Sequence, residues 1–206
     1  MSSDRLTGLD ASFLHLEDSA AHMHVAGVMI FEGPPPPYED LLEAIERRLG
    51  LVPRYRQRLA FVPLGQGRPR WVDDPHLNLR YHVRSTALPA PGSEDQLKEL
   101  AGRVFAQQLD RDKPLWEMWV AEGLSGGRWA LISKIHHCVV DGISGTDLLT
   151  VLLDEERDPA CGAKLEAWRP GPEPRQAQML VGALSERLSN PIEGLRKARR
   201  MALAPR

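Results

Sequence analysis

The sequence of 206 residues predicts an α/β fold. Two observations indicate this class. Apolar, β-branched segments of strand length alternate along the chain with segments that carry leucine and isoleucine at helical spacing. Two strand-like segments near the middle are also joined by a short glycine-containing turn, as in a β-hairpin. A chain of this length can form one large domain or two small ones with a sizeable core.

The first half of the chain predicts a strand followed by a helix. Residues 23–31 are apolar enough for a buried strand, and the Gly-Pro-Pro-Pro-Pro segment at 33–37 ends it because proline cannot donate to a β-ladder. Residues 38–50 then carry apolar side chains on one helical face, with Gly50 as the expected C-terminal stop. That face is formed by Leu41, Leu42, Ile45 and Leu49.

The second half continues the alternation. Residues 68–84 predict short strands interrupted by Asp-Asp-Pro, and residues 93–109 predict a helix that Ser93 caps together with Gln96. The segments 116–124 and 128–137 predict the two arms of the hairpin, joined by Ser-Gly-Gly. The stretch 143–154 predicts a further helix, which begins with a capping box formed by Ser144 and Asp147.

Composition excludes several classes of protein. Lys and Arg total 26 against 28 Asp and Glu, so no positive field attracts nucleic acid. Two cysteines are too few for a disulfide framework, and the first residues lack the layout of a signal peptide. The apolar stretches are strand-sized, far short of a membrane span. We therefore expect a cytoplasmic protein whose contact with a membrane is at most peripheral.

A domain boundary is expected near residue 155. Residues 1–155 form the predicted domain, and residues 156–206 read as a Pro/Gly-rich linker followed by a basic amphipathic helix. From 175 onwards seven basic residues stand against two glutamates. This segment is interpreted either as a solvated helix that leads to a further part of the protein or as a helix for a membrane surface or partner.

The segment SKIHHCVVDGISG at 133–145 concentrates the candidate chemistry. His136, His137, Asp141 and Gly142 fall in a loop between a predicted strand and a predicted helix. Histidine and aspartate are metal ligands, but neighbours on an extended segment point to opposite faces, so both rings reach one ion only with difficulty. No further metal-binding motif accompanies them, and we expect no metal. A pair of buried structural histidines is the second interpretation.

The third interpretation is general-base catalysis. An imidazole with an ordinary pKa near ~6.5 can take a proton from a hydroxyl at neutral pH. Asp141 would brace the loop or orient a ring, and Gly142 would let the backbone turn into the helix. A thiol nucleophile at Cys138 competes weakly with this interpretation, because its side chain should face away from that of His137.

His-His-Cys-Val-Val-Asp-Gly resembles the HHxxxDG signature of the CoA-dependent acyltransferase superfamily. Three further segments, 6–18, 71–84 and 110–124, the last with Pro-Leu-Trp, are similar to the bacterial wax ester synthase/acyl-CoA:diacylglycerol acyltransferase family. The four segments stand in the family's order. The resemblance covers most of residues 4–155 and fades afterwards.

The resemblance implies half of a chloramphenicol-acetyltransferase-like fold, with a mixed β-sheet flanked by helices. It implies transfer of a long-chain acyl group from acyl-CoA, a substrate rather than a cofactor, to the hydroxyl of diacylglycerol or a fatty alcohol. For such substrates the resemblance also implies peripheral contact with a membrane or lipid-droplet surface. His137 would be the base, with no acyl-enzyme. Asp141 would brace the loop, Gly142 would leave room beside the imidazole, and His136 would orient the loop or simply pack.

The Pro-Leu-Trp segment has two interpretations. From the residues alone, Pro114, Leu115 and Trp116 start a strand that carries a core aromatic; the family resemblance makes them part of the substrate pocket wall. Asp10 and Phe13 receive no chemical role.

Family members are about twice as long, with a second α/β half that completes the substrate tunnel. We therefore expect an N-terminal half that pairs with a C-terminal half or with another copy of itself. Two alternatives to the CoA-dependent enzyme stay open. One is a condensation-type acyltransferase that uses a carrier-protein thioester, and the other is a non-catalytic lipid-binding or assembly module.

Overall fold

The architecture is a mixed β-sheet with helices on both faces, in a computed structural model that describes residues 5–139 and 168–189. The strands are β1 His24–Phe31, β2 Gln57–Ala60, β3 Arg70–Asp73, β4 Val83–Ala87, β5 Trp116–Leu124 and β6 Arg128–His136. The α-helices are α1 Gly8–Leu16, α2 Tyr38–Arg48, α3 Leu79–His82, α4 Glu94–Phe105 and α5 Gln176–Ser189. Short 3₁₀ segments lie at Leu49–Leu51, Pro53–Arg56 and Pro63–Gly65.

The main sheet has four strands in the order β1-β6-β5-β4. Strand β6 pairs antiparallel with β1 and with β5, whereas β4 runs parallel to β5. Strands β2 and β3 form a separate two-stranded antiparallel sheet. The predicted mixed sheet flanked by helices is therefore confirmed.

Both faces of the central strands are covered. Alternate residues of β5 and β6 point to opposite faces. Met118 and Leu131 pack with the apolar side of α2, whereas Ala121 and Ile132 pack with the apolar side of α4. Burial on both faces explains why these two strands read as nearly continuous apolar runs.

Several predicted elements are confirmed with altered ends. The predicted strand at 23–31 is β1, and the predicted hairpin is β5 and β6, with Gly126 and Gly127 at positive φ in the turn. Helix α4 has the predicted capping box between Ser93 and Gln96 but ends at Phe105 rather than at 109. Helix α2 ends at Arg48, and the predicted stop at Gly50 is wrong: Gly50 lies inside the 3₁₀ turn Leu49–Leu51 that continues from the helix.

Other parts differ from the prediction or lie outside the described residues. Residues 68–84 contain β3 and the short helix α3, and β4 begins only at Val83. The predicted helix at 143–154 and the boundary near 155 are outside the described ranges. The helical pattern after 175 appears as α5, which packs through Met179 and Ala183 on the β2–β3 sheet. Within the described ranges, no helix has the length and apolar character to cross a membrane.

Candidate active site

The two adjacent histidines lie where β6 ends. The backbone N–H of His136 donates to the carbonyl of Leu115 at 2.9 Å, and the N–H of His137 donates to the carbonyl of Met23 at 2.8 Å. These bonds join the end of β6 to the chain just before β5 on one side and just before β1 on the other. The sheet thus fixes the backbone of both histidines, while their side chains have different surroundings.

His136 is fully buried. Its Nδ1 accepts a hydrogen bond from the N–H of Cys138 at 3.0 Å, so the neutral ring carries its proton on Nε2. Nε2 lies 3.6 Å from Oε2 of Glu17. Burial lowers the pKa of His136 to about 4, and the nearby charge of Glu17 offsets this only in part. With both nitrogens facing protein groups and little basicity at neutral pH, this ring has a structural environment.

Glu17 connects His136 to three other parts of the chain. Arg111 donates to its Oε2 from Nε at 3.0 Å and from Nη2 at 2.7 Å, and the N–H of Met23 donates to Oε1 at 3.2 Å. Arg111 also donates to the carbonyl of Leu14 at 2.9 Å. Burial raises the pKa of Glu17, but hydrogen bonds from Gln108, Arg111 and Met23 outweigh it, and the pKa is lowered. The charged carboxylate therefore ties the end of α1 to the start of β1 and to the segment before β5.

His137 has a more open environment. Its side chain is half-buried, and its ring stacks on Phe13 of α1 with centroids 4.6 Å apart and planes at 20°. One face of the imidazole therefore rests on an apolar surface. Of the two rings, His137 is the one that solvent or a ligand can reach.

Cys138 does not have the environment of a reactive thiol. Its side chain is buried in a cluster with Leu14, Leu59 and Leu115, and this burial raises the thiol pKa to about 12. A thiolate is therefore strongly disfavoured near neutral pH. This environment argues against the interpretation of Cys138 as a nucleophile.

Residues of the Pro-Leu-Trp segment are buried. Leu115 packs beneath α1, and Trp116 stacks on His82 with centroids 4.6 Å apart while its Nε1 donates to the carbonyl of Tyr55 at 2.8 Å. This is the environment of a strand start with a core aromatic. Pro114 and Trp116 also line a cavity of about 490 Å³, so the pocket-wall role stays a prediction. The other residues that line it are Tyr81, Arg84, Gln107, Gln108, Leu109, Asp110, Arg111 and Glu117.

Asp141 and Gly142 lie outside the described residues, so their proposed roles stay predictions. The expectation that the site holds no metal also stays a prediction. Within residues 5–139 and 168–189, no cluster of three or more histidine, cysteine or carboxylate side chains has a metal-binding arrangement.

Sequence reasoning missed the partners of the two rings. Phe13, Glu17 and Arg111 surround the histidines, although they lie far from them along the chain. The available signal was that residues 6–18 and 110–124 were two of the segments similar to the family. Neither segment by itself indicates that both fold against the end of β6.

The burial of His136 makes stability depend on pH. Its pKa of about 4 in the folded chain is below the ordinary value of 6.5, so the unfolded chain binds more protons between these values. We expect the free energy of unfolding to be highest above about pH 6.5 and to fall by up to ~3 kcal/mol as the pH drops towards 4. Urea unfolding across this range measures the loss. His136→Asn should show a flatter profile, and an equal slope in the variant would contradict this explanation.

Comparison with known proteins places these observations in a family. Residues 6–204 match the wax ester synthase/diacylglycerol acyltransferase catalytic domain family. The Mycobacterium tuberculosis protein named Probable diacyglycerol O-acyltransferase tgs3 is 41% identical over 189 residues, which are 91% of this chain and 69% of that protein. Probable diacyglycerol O-acyltransferase tgs1 from the same species is 47% identical over 154 residues, 74% of this chain and 33% of that protein. The matched part is thus about a third of the length of this second relative.

Solved structures agree with this placement. The wax ester synthase/diacylglycerol acyltransferase from Marinobacter aquaeolei superposes with a TM-score of 0.60 at 35% identity, over 74% of this chain and 39% of that chain. The first condensation domain of the CDA synthetase has a TM-score of 0.55 at 19% identity, over 71% of this chain and 37% of that chain, and shows a shared fold alone. The expected likeness to the chloramphenicol-acetyltransferase-like fold is confirmed. With the family match over residues 6–204, these results show that the chain belongs to the wax ester synthase/diacylglycerol acyltransferase catalytic domain family.

Proposed function

We propose that the chain carries the catalytic histidine of an O-acyltransferase, which moves a long-chain acyl group from acyl-CoA to the hydroxyl of diacylglycerol or a fatty alcohol. The observation that supports this most is the contrast between the two histidines. The ring of His136 is enclosed, with Nδ1 bonded to the N–H of Cys138 and Nε2 facing Glu17. The ring of His137 is half-buried and has one supported face. His137 is therefore the better placed base.

The reaction at His137 is a direct transfer. The imidazole takes the proton of the acceptor hydroxyl as its oxygen attacks the thioester carbonyl. The tetrahedral intermediate then expels the CoA thiolate, to which the imidazolium returns the proton. No protein nucleophile takes part, in keeping with the buried thiol of Cys138 and its pKa of about 12. Both substrates must therefore be bound together.

His136 and the loop after it support this base. We assign His136 the role of holding the strand end, through its contact with Glu17 and the N–H of Cys138. In the same proposal Asp141 braces the loop and Gly142 leaves space beside the imidazole. Pro114, Leu115 and Trp116 form part of the wall behind the site.

A second α/β half, or another copy of the chain, completes the substrate site in this proposal. Relatives extend well beyond the matched segment, as tgs1 does. Strand β1, at one edge of the described sheet, exposes Val28 and Ile30 on the same face, and these side chains are 38% and 45% accessible. Apolar side chains in this position are typical of a surface that another element covers. The domain assignment of 1–155, followed by a linker and a basic helix at 156–206, belongs to the same proposal.

A labelled-donor experiment tests the proposed reaction. The complete protein is mixed with radiolabelled palmitoyl-CoA, with and without diacylglycerol or hexadecanol, and both the lipid fraction and the intact protein mass are analysed. We expect labelled ester only when an acceptor is present, and no acylated protein. Acylated protein on the pathway would contradict direct transfer. Binding without ester would favour the lipid-binding module, and use of a carrier-protein thioester in place of acyl-CoA would favour the condensation-type enzyme.

A further inference from the structure

Phe13 is the aromatic residue on which the ring of His137 rests. The two centroids are 4.6 Å apart, and the ring planes are inclined by only 20°. This stacked geometry places the flat face of the phenyl ring against the imidazole. An aromatic pair in this arrangement contributes specific orientation in addition to buried area.

The backbone of Phe13 is itself held by contacts at the end of α1. The N–H of Glu17 donates to the carbonyl of Phe13 at 3.1 Å, and Arg111 holds both the carboxylate of Glu17 and the carbonyl of Leu14. On the inner side of the helix, Ala11 and Leu14 are buried. A shift of the end of α1 would have to break the buried contact between Glu17 and Arg111. The backbone that carries the phenyl ring is thus firmly held.

His137 needs such a support because the sheet fixes only its backbone. The N–H of His137 is bonded to the carbonyl of Met23, but the side chain still has two torsions of its own. A base must be held within about 0.5 Å and 10–20° of the productive geometry. A stacked ring restricts both torsions, and its negative face also favours the cation that forms when the imidazole takes a proton.

From this geometry we infer that Phe13 is a positioning residue that holds the imidazole of His137 in the orientation for proton transfer. This inference rests on the proposed function. Phe13 acts through His137 and takes no part in bond making or breaking. Its aromatic face is the property that matters, which separates this role from simple filling of space at the side of α1.

The test compares side chains that keep or remove the aromatic face. In the complete protein, Phe13→Leu keeps an apolar side chain but loses the ring, and we expect kcat for acyl transfer to fall roughly 5- to 30-fold. KM for acyl-CoA should change less than about twofold, because orientation of the base affects chemistry more than binding. Phe13→Tyr keeps the ring, and its kcat should stay within about twofold of the unmodified protein.

Phe61→Leu is the matched control. It makes the same chemical change at an exposed phenylalanine, 46% accessible, that follows β2. Its kcat and KM should equal those of the unmodified protein. Thermal unfolding of each variant shows whether a loss of activity reflects loss of the fold.

A spectroscopic measurement needs no variant at Phe13. The ring protons of His137, assigned in NMR spectra by their disappearance in His137→Ala, should be shifted upfield by the phenyl ring current. If the ring protons of His137 instead resonate at the positions of a histidine with no aromatic neighbour, the inference is overturned. The same conclusion would follow if Phe13→Leu kept full kcat, if Phe13→Tyr lost as much as Phe13→Leu, or if only KM changed. Failure of the proposed function is distinct: the unmodified protein would make no ester, or His137→Ala would make it at the normal rate.

Discussion

Replacing His137 with alanine is expected to lower kcat for acyl transfer by ~10²- to 10⁴-fold in the complete protein. The variant loses the group that takes the acceptor proton, so attack on the thioester must start from a neutral hydroxyl. The measurement is ester formation from palmitoyl-CoA at saturating diacylglycerol or hexadecanol. KM for acyl-CoA should change little, because the imidazole acts on the acceptor hydroxyl in the transition state.

The unfolding transition of His137→Ala is the control for its loss of kcat. The ring of His137 is half-buried and contacts Phe13, so its removal should leave the unfolding transition cooperative and only modestly shifted. A folded His137→Ala protein with the normal rate would remove His137 from the mechanism. An unfolded one would point instead to a structural role.

Replacing Lys134 with methionine is expected to cost about 3–5 kcal/mol of the free energy of unfolding. Lys134 is 2% accessible, and its Nζ lies 2.6 Å from Oε1 of Glu117, its partner across β5 and β6. Nζ also donates to the carbonyls of Val104 and Gln107 at 2.8 and 2.7 Å. Methionine keeps the apolar stem but leaves a buried carboxylate and two carbonyls without this donor. Urea unfolding monitored by circular dichroism measures the loss.

Two matched variants separate the buried pair from ion pairs in general. Lys134→Met combined with Glu117→Leu removes both charges and should recover at least half of the loss, because no isolated charge stays buried. Lys98→Met removes an exposed ion pair with Asp95 and should have no measurable effect. A full-sized loss in the double variant, or a negligible loss in Lys134→Met, would contradict this explanation.

Much of the fold could be predicted because its elements carry local signals. Strands β5 and β6 are apolar on both faces and are joined by glycines that adopt positive φ, and α4 begins with a complete capping box. Helix α1 has a weaker pattern: Leu9 and Leu16 are exposed, whereas Ala11 and Leu14 are buried. Its apolar side chains therefore do not mark one face, and the sequence pattern does not predict this helix. Strand β2 has only four residues, too few to show a period.

The candidate site divides in the same way. The HHxxxDG motif is contiguous, so the sequence could indicate His137 directly. The contact between Glu17 and Arg111 spans 94 positions, and only the order of strands in the sheet brings these residues to His136. The two histidines also differ in burial, since His136 is enclosed and His137 is half-buried. Two identical residues side by side in a sequence give no sign of such a difference.

The central claim is that the second histidine acts as the base while the first holds the strand end. The most direct test is the kcat of His137→Ala compared with that of His136→Asn, each per folded molecule, in the same assay. The account predicts a loss of ~10²-fold or more at position 137 and of at most about tenfold at position 136. An equal or larger loss at position 136, or a normal rate without the imidazole at 137, would contradict it.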